Sequence, residues 1–221
     1  MSGYTLEKLQ DKLDRNIALR KKELSVIKTS IIESESGILS TNIRIGIVML
    51  YSHWEGYIKF SAREYLKYLN DKDLEVSTMK DNFRTLSIKS IIKDCSQSYK
   101  TEKFHDITKE FLNENNRIFR VDERDKLIIN TESNLSYLVL KDILFSLGIS
   151  HTDYELKENL IKEKLLEKRN SIAHGELVEI NEGNDITRKD EICELFDEII
   201  YLMNLFKNQI IEQALEENYL L

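Results

Sequence analysis

The sequence predicts an all-α fold, and three observations carry that expectation. Proline is absent from the 221 residues and glycine occurs only seven times, which removes the residues that most often break helices or build tight turns. Hydrophobic residues reach 41% and charged residues 32%, enough for a sizeable core under a well-solvated surface. Long stretches then place apolar residues three and four apart, the period of a helix with one buried face.

The first stretch runs from Leu6 to Ile31, with apolar residues at 6, 9, 13, 17, 24, 27 and 31. This is one narrow stripe on a long helix, and it must pack on the rest of the chain or on another chain. Gly37 and the polar LSTN segment are read as a break, with Ser40, Thr41 or Asn42 placed to cap the next helix. That helix, about 43 to 69, is apolar around much of its circumference, with Ile47, Tyr51, Trp54, Ile58, Tyr65 and Leu69 on its best stripe. It should be the central helix.

Residues 76 to 116 read as two or three shorter helices, one carrying Leu86, Ile88, Ile91 and Ile92 and another Phe104, Ile107, Phe111 and Leu112. In RIFRVDERDKLIINT, residues 117–131, β-branched runs flank a polar turn, which suggests a small β-hairpin or an ordered loop. A helix from about Asn134 to Leu147 stops at Gly148, and another from about Asp153 to His174 stops at Gly175. After the polar loop EINEGNDIT comes a last helix, about Arg188 to Glu217, with Ile192, Leu195, Phe196, Ile199, Leu202, Phe206 and Ile210 at helical spacing. No repeat or Gly/Pro/Ser-rich linker divides the chain, so residues 1–221 are expected to form a single helical bundle with an inserted middle segment.

Composition also limits the chemistry. Cys95 and Cys193 stand far apart without CxxC spacing, so neither a disulfide framework nor a zinc site is expected. The N-terminal MSGYTLEKLQDKLDR lacks the apolar stretch of a signal peptide, and no run approaches the roughly 20 apolar residues of a membrane span. A cytoplasmic protein without membrane contact is the expectation. A formal charge of -7 argues against a general nucleic-acid coat but leaves room for a local basic cleft. Lys162, Lys164, Lys168 and Arg169 are either the lip of such a cleft or a solvated helix face. Glycine-rich phosphate loops, metalloprotease motifs and nucleophile elbows are lacking, and no cofactor or metal is called for.

The residues that stand out lie on the helix ending at Gly175. Leu160, Ile161, Leu165, Ile172 and Ala173 form its expected buried stripe, and Arg169 falls on that stripe, four after Leu165 and three before Ile172. A guanidinium there faces a polar cleft or an interface, is matched by a carboxylate, or lays its stem over the core with its head in water. His174 lies about 140° further round, and Asn170 is one turn before it on the same face, where it can orient the imidazole. A fixed cation, an amide and a titratable base thus cluster near one helix end.

The segment LEKRNSIAHGE, residues 166–176, resembles the Arg, four intervening residues, His motif of HEPN ribonucleases, including the Asn that follows the Arg. MLYSHWEGYIKFSAREYL is similar to the Trp-Glu-Gly helix of the MAE-type and RiboL-PSP-type HEPN branches, and TESNLSYLVLKDILFSLGI is a third block in family order. The resemblance covers about residues 40 to 205. It implies a HEPN-like helical bundle that dimerises so that two motifs face each other in a composite, metal-independent ribonuclease site acting on RNA. It further implies products with 2′,3′-cyclic phosphate and 5′-OH ends.

Such a site needs a base to take the 2′-OH proton and a cation to hold phosphate charge, roles that suit His174 and Arg169. The resemblance also implies a supporting acidic residue on an earlier helix. Glu55 occupies that place, with Arg169 as its expected partner, either within the site or as a pair that merely fixes helix packing. His53 lies about 200° round the helix from Glu55, so both cannot face one site. Glu55 is chosen because it lies beside Tyr51, Ile58 and Ala62 at the edge of the buried stripe, and His53 is the weaker candidate, read as a satisfied core histidine. Trp54 is read as core, with base stacking as the lesser reading, and His105 and His151 receive no role.

Three functions follow in order: a toxin or anti-phage effector that cuts RNA under the control of an antitoxin or another defence-system partner protein, a non-catalytic HEPN module that binds a nucleotide or a partner, and a helical adaptor.

Overall fold

A computed structural model describes residues 3–96, 100–113, 117–132, 134–176 and 184–221. Helix α1 spans Leu6–Ile32 and is capped by Thr5, whose hydroxyl accepts from the Lys8 amide at 3.3 Å. It buries Leu9, Leu13, Ile17, Leu24 and Ile31 of the expected stripe, with Leu6 and Ile27 partly buried at its edge. Helix α2, Ser36–Asn70, is longer than expected. Gly37 and the LSTN segment lie inside it rather than in a break, and the turn from α1 is only three residues. Ser34 makes that turn possible by giving its hydroxyl hydrogen to the Ser30 carbonyl at 2.7 Å while accepting from Asn42 at 2.6 Å. Asn42 therefore ties the turn from within α2 and does not cap a helix.

Helices α1 and α2 pack with α8, Asp185–Leu215, as the central three-helix layer. The α8 stripe from Ile192 to Ile210 is buried as expected. Asn184 caps α8 by accepting from the Thr187 amide at 3.0 Å, so the helix begins just after the part of the EINEGNDIT loop, up to residue 183, that lies outside the described residues. Gly46 permits the close approach of the three helices. A Cβ there would stand 2.7 Å from Ile31 Cδ1 and 3.3 Å from the Phe196 ring. Among the described residues no helix is long and apolar enough to cross a membrane.

The middle of the chain forms a short 3₁₀ turn at Val76–Thr78, then α3, Asp81–Ser96, and α4, Thr101–Leu112. Leu86 and Ile88 are buried and Ile92 is exposed, while the side chains of Ile91, Cys95 and Phe111 lie outside the described residues. Of the two forms expected over 117–131, the ordered loop is found and the hairpin is not. The segment instead makes one isolated bridge, Ile118 with Glu75, where the Phe119 amide donates to Leu74 at 2.7 Å and the Val76 amide to Arg117 at 2.8 Å. Asn70, the last residue of α2, clamps the Val121 backbone through both its amide nitrogen (2.8 Å) and its oxygen (3.0 Å). The β-branched residues that suggested strands, Ile128 and Ile129, are buried against the bundle, so side-chain burial rather than ladder pairing holds this loop.

Helix α5, Tyr137–Ser146, is capped by Ser136 and followed by Gly148 at φ +71°. The helix expected from 153 to 174 is not continuous. A one-turn α6, Thr152–Glu155, is followed by a π-helical segment, Leu160–Glu167, and then α7, Lys168–Ala173. In π winding each N–H reaches one residue further back than in an α-helix, so three-and-four spacing no longer predicts the inward face. Ile161, Leu165 and Leu166 are buried, whereas Ala173, expected in the core, is exposed.

A polar layer lies between α1 and α2. Arg20 fills the gap in the α1 stripe between Ile17 and Leu24, donating to Asn16 at 2.7 Å and to the His53 carbonyl at 3.1 Å. Its guanidinium rests on Gly56, where a Cβ would lie 3.0 Å away. His53 is buried on this side, with Nε2 3.1 Å from Glu23. Burial, and then the Arg20 charge, lower the His53 pKa against the opposing pull of Glu23.

Folded His53 therefore stays neutral at a pH where the unfolded histidine, near pH 6.5, takes a proton. Stability held above about pH 6.5 is lost as pH falls toward the lowered value. In thermal melts from about pH 7 to pH 5, His53→Gln should show a flatter fall in Tm than the wild type. Equal slopes would remove His53 from the pH response.

Candidate functional site around Arg169

Arg169 sits one residue into α7, just after the π-helical segment, and is half-buried against α2. Its guanidinium lies over the Tyr51 ring, 4.6 Å from the centroid. Its Nη1 donates to two amide oxygens, Asn134 at 3.0 Å and Asn170 at 2.7 Å. A ring face and neutral oxygens hold the cation in place without cancelling its charge. Among the described residues no hydrogen bond engages Nε or Nη2, and no carboxylate forms an ion pair with Arg169.

Tyr51 is the platform of the site. Its ring is buried and its hydroxyl accepts from the Leu135 amide at 2.6 Å. Burial is the main cause that pushes the phenol up to about 12, opposed by the Leu135 amide and reinforced by the Glu55 carboxylate one turn along α2. Tyr51 thus remains a neutral phenol at neutral pH.

Glu55 does not pair with Arg169 as expected. It accepts from the buried Thr131 hydroxyl at 2.7 Å and lies beside the Tyr51 phenol. The reason is the loop 117–132, which brings Thr131 against α2 and takes the carboxylate first. Thr131 is thus held by Glu55 and Asn134 by Arg169, the two partners of Tyr51 on either side.

Asn170 also differs in role from the expectation. Its carboxamide oxygen is used by Arg169, and its contact with His174 is the helical backbone bond from the His174 amide at 2.9 Å. Asn170 orients the guanidinium rather than the imidazole. His174 is the C-cap of α7 and its side chain is exposed. The chain then turns through Gly175 at φ +78°, with the Gly175 amide bonded to Ile172 at 3.1 Å and the Glu176 amide to Ser171 at 3.0 Å. These two bonds form a Schellman ending that fixes where His174 emerges.

The other candidates separate. His53 belongs to the α1 side with Arg20, and Trp54 is wholly buried, which leaves it no face for a base. Of the run Lys162, Lys164, Lys168 and Arg169, Lys164 faces acidic neighbours, lining a groove of about 680 Å³ with Glu191, Glu194 and Glu198 of α8, while Arg169 turns to Tyr51. Tyr51 and Asn134 join the site without a signal in the sequence. Tyr51 sits on an apolar stripe, and Asn134 reads as the start of a helix until Ser136 is seen to cap it.

The model of the RiboL-PSP-HEPN family matches residues 15–212, which takes in most of α1, all of α2, the inserted segment, α7 and nearly all of α8. No curated protein and no solved structure matches the chain.

A Cβ added at Gly175 would meet open space, so any penalty for a side chain there comes from the backbone alone. Gly175→Ala should cost about 1–2 kcal/mol in urea unfolding and loosen the position of His174, visible as a sharper, more mobile imidazole NMR signal. An unchanged melt and spectrum would mean that the turn does not constrain His174.

Proposed function

Because the chain belongs to the RiboL-PSP-HEPN family, we propose that it is a metal-independent endoribonuclease whose cleavage centre is built from Arg169, Asn170 and His174, with Glu55 in support. The observation that carries this reading is the charge of Arg169, which no carboxylate pairs with among the described residues. A half-buried guanidinium normally draws a carboxylate. Here Glu55, the carboxylate expected to reach it, is turned to Thr131, while Tyr51, Asn134 and Asn170 hold the cation in neutral contacts. Two N–H edges stay available for the oxygens of a phosphodiester.

His174, five residues on and open to solvent, supplies the base. It takes the 2′-OH proton as the 2′ oxygen attacks phosphorus and the bond to the 5′ oxygen breaks. Arg169 holds the charge that builds on the non-bridging oxygens. The leaving 5′ oxygen takes a proton from an imidazolium, giving 2′,3′-cyclic phosphate and 5′-OH ends. One exposed histidine cannot be base and acid in the same step, which favours a homodimer in which a second copy contributes its own His174 and closes the site to water. A nuclease of this kind suits a cytoplasmic toxin or anti-phage effector restrained by an antitoxin or other defence partner protein.

A second reading, a non-catalytic module binding a nucleotide or partner protein, is favoured by the exposure of His174, whose imidazole has no orienting partner among the described residues.

Purified wild type, His174→Ala and Arg169→Ala, each incubated with total RNA in EDTA, separate the two. The nuclease reading expects cleavage by wild type with cyclic phosphate ends, a loss of about 10²–10⁴-fold in His174→Ala and about 10²–10³-fold in Arg169→Ala. Equal cleavage by all three proteins would overturn it.

A further inference from the structure

On α2 the residues 51, 55, 59, 63 and 67 succeed one another four apart, so they lie along one ridge of the helix. The ridge begins with Tyr51 under the Arg169 guanidinium and continues with Glu55 at Thr131. Its next three members are Lys59, Arg63 and Lys67, one cation per turn, all half-buried.

These cations line a groove of about 360 Å³, and Arg124 of the inserted loop faces them across it. Arg63 donates through Nη2 to the Arg124 carbonyl at 3.3 Å, and its buried Nε has no hydrogen-bond partner. Lys67 lies over the Tyr4 ring, 5.6 Å from the centroid. Two carboxylates share the groove. Glu64 is already taken by Lys12 at 2.9 Å and by the Tyr4 hydroxyl, which leaves Glu123 against four cations. A local positive excess on a chain of net charge -7 is the electrostatic form that phosphate binding requires. Phe60, half-exposed in the same groove, adds a ring on which a base can stack.

We propose that this ridge is the track for the single-stranded RNA flanking the cut, with Lys59, Arg63 and Lys67 holding successive backbone phosphates on their way from Arg169. The proposal rests on the ribonuclease reading of the Arg169 site and adds to it the path of the substrate. From Tyr51 to Lys67 the helix rises about 24 Å with neighbouring cations about 6 Å apart, so a strand held by successive phosphates passes the ridge in about four nucleotides. The inserted loop, which replaces the expected hairpin, forms the outer wall of the track through Arg124.

The test uses full-length His174→Ala, which leaves RNA intact, and a labelled single-stranded RNA of about 12 nucleotides, long enough to pass the whole ridge. Affinity is measured by fluorescence anisotropy across a salt series, with and without Lys59→Gln and Lys67→Gln. Two lost phosphate contacts should weaken binding at least about tenfold and lower the slope of log K against log salt by about 1.4. Lys59→Arg with Lys67→Arg should restore both, which a merely destabilised protein would not do. Unchanged affinity and slope in the glutamine variant, or no binding by His174→Ala alone, would overturn the track. Cleavage by wild type with ridge-independent binding sinks the track alone. Ridge-dependent binding without cleavage by wild type sinks the nuclease reading and keeps the track.

Discussion

Helix α2 is apolar around most of its circumference, and the rest of the chain is arranged to keep water from it. Sixteen of its residues are buried, Trp54, Tyr57, Tyr65 and Tyr51 among them. Each large side chain removed from water contributes about 1.5–3 kcal/mol, more than a typical single polar contact. Helices α1 and α8 cover one side with their narrow stripes, and the π-helical segment, α7 and the inserted loop cover another. The places where α2 carries a polar residue are then the places where its neighbours must supply a partner.

That requirement separates three polar regions on one helix. Towards α1, His53 meets Arg20 and Glu23 beside Gly56, a glycine whose missing side chain makes room for a guanidinium rather than for an unusual backbone. Towards α7, Tyr51 meets Arg169 through its ring and Leu135 through its hydroxyl. Towards the loop and solvent, Lys59, Arg63 and Lys67 face Arg124. In the second region a half-buried cation is held, among the described residues, by a ring and two amide oxygens. Its charge stays available to an anion, and that imbalance would mark the place even without a resemblance in sequence.

The π-helical segment links fold to site. It shifts the register between Leu160 and Glu167, so that Leu165 and Leu166 are both buried and Arg169 then meets the Tyr51 face. π-Helical turns often accompany functional sites for this reason, since they aim a side chain that regular winding would place elsewhere. The Schellman turn at Gly175 ends α7 shortly after Arg169 and leaves His174 exposed at the helix end.

The sequence by itself determined the helical class, the buried stripes of α1, α2 and α8, the ends at Gly148 and Gly175, and the singular position of Arg169, because helical periodicity and the handedness required of a glycine are local properties. It also separated His53 from Glu55 by their angle on the helix. Only the tertiary structure decided what each polar group meets. The family resemblance offers Glu55 as a partner for Arg169, but Thr131, 76 residues away in sequence, takes its carboxylate. Asn134 reads as the start of a helix, yet Ser136 caps α5 and Asn134 turns to Arg169. The hairpin gives way to a packed loop because Ile128 and Ile129 find the core before they find a partner strand. Such choices are competitions between distant groups for one partner, and spacing along the chain carries no information about which distant group comes closest.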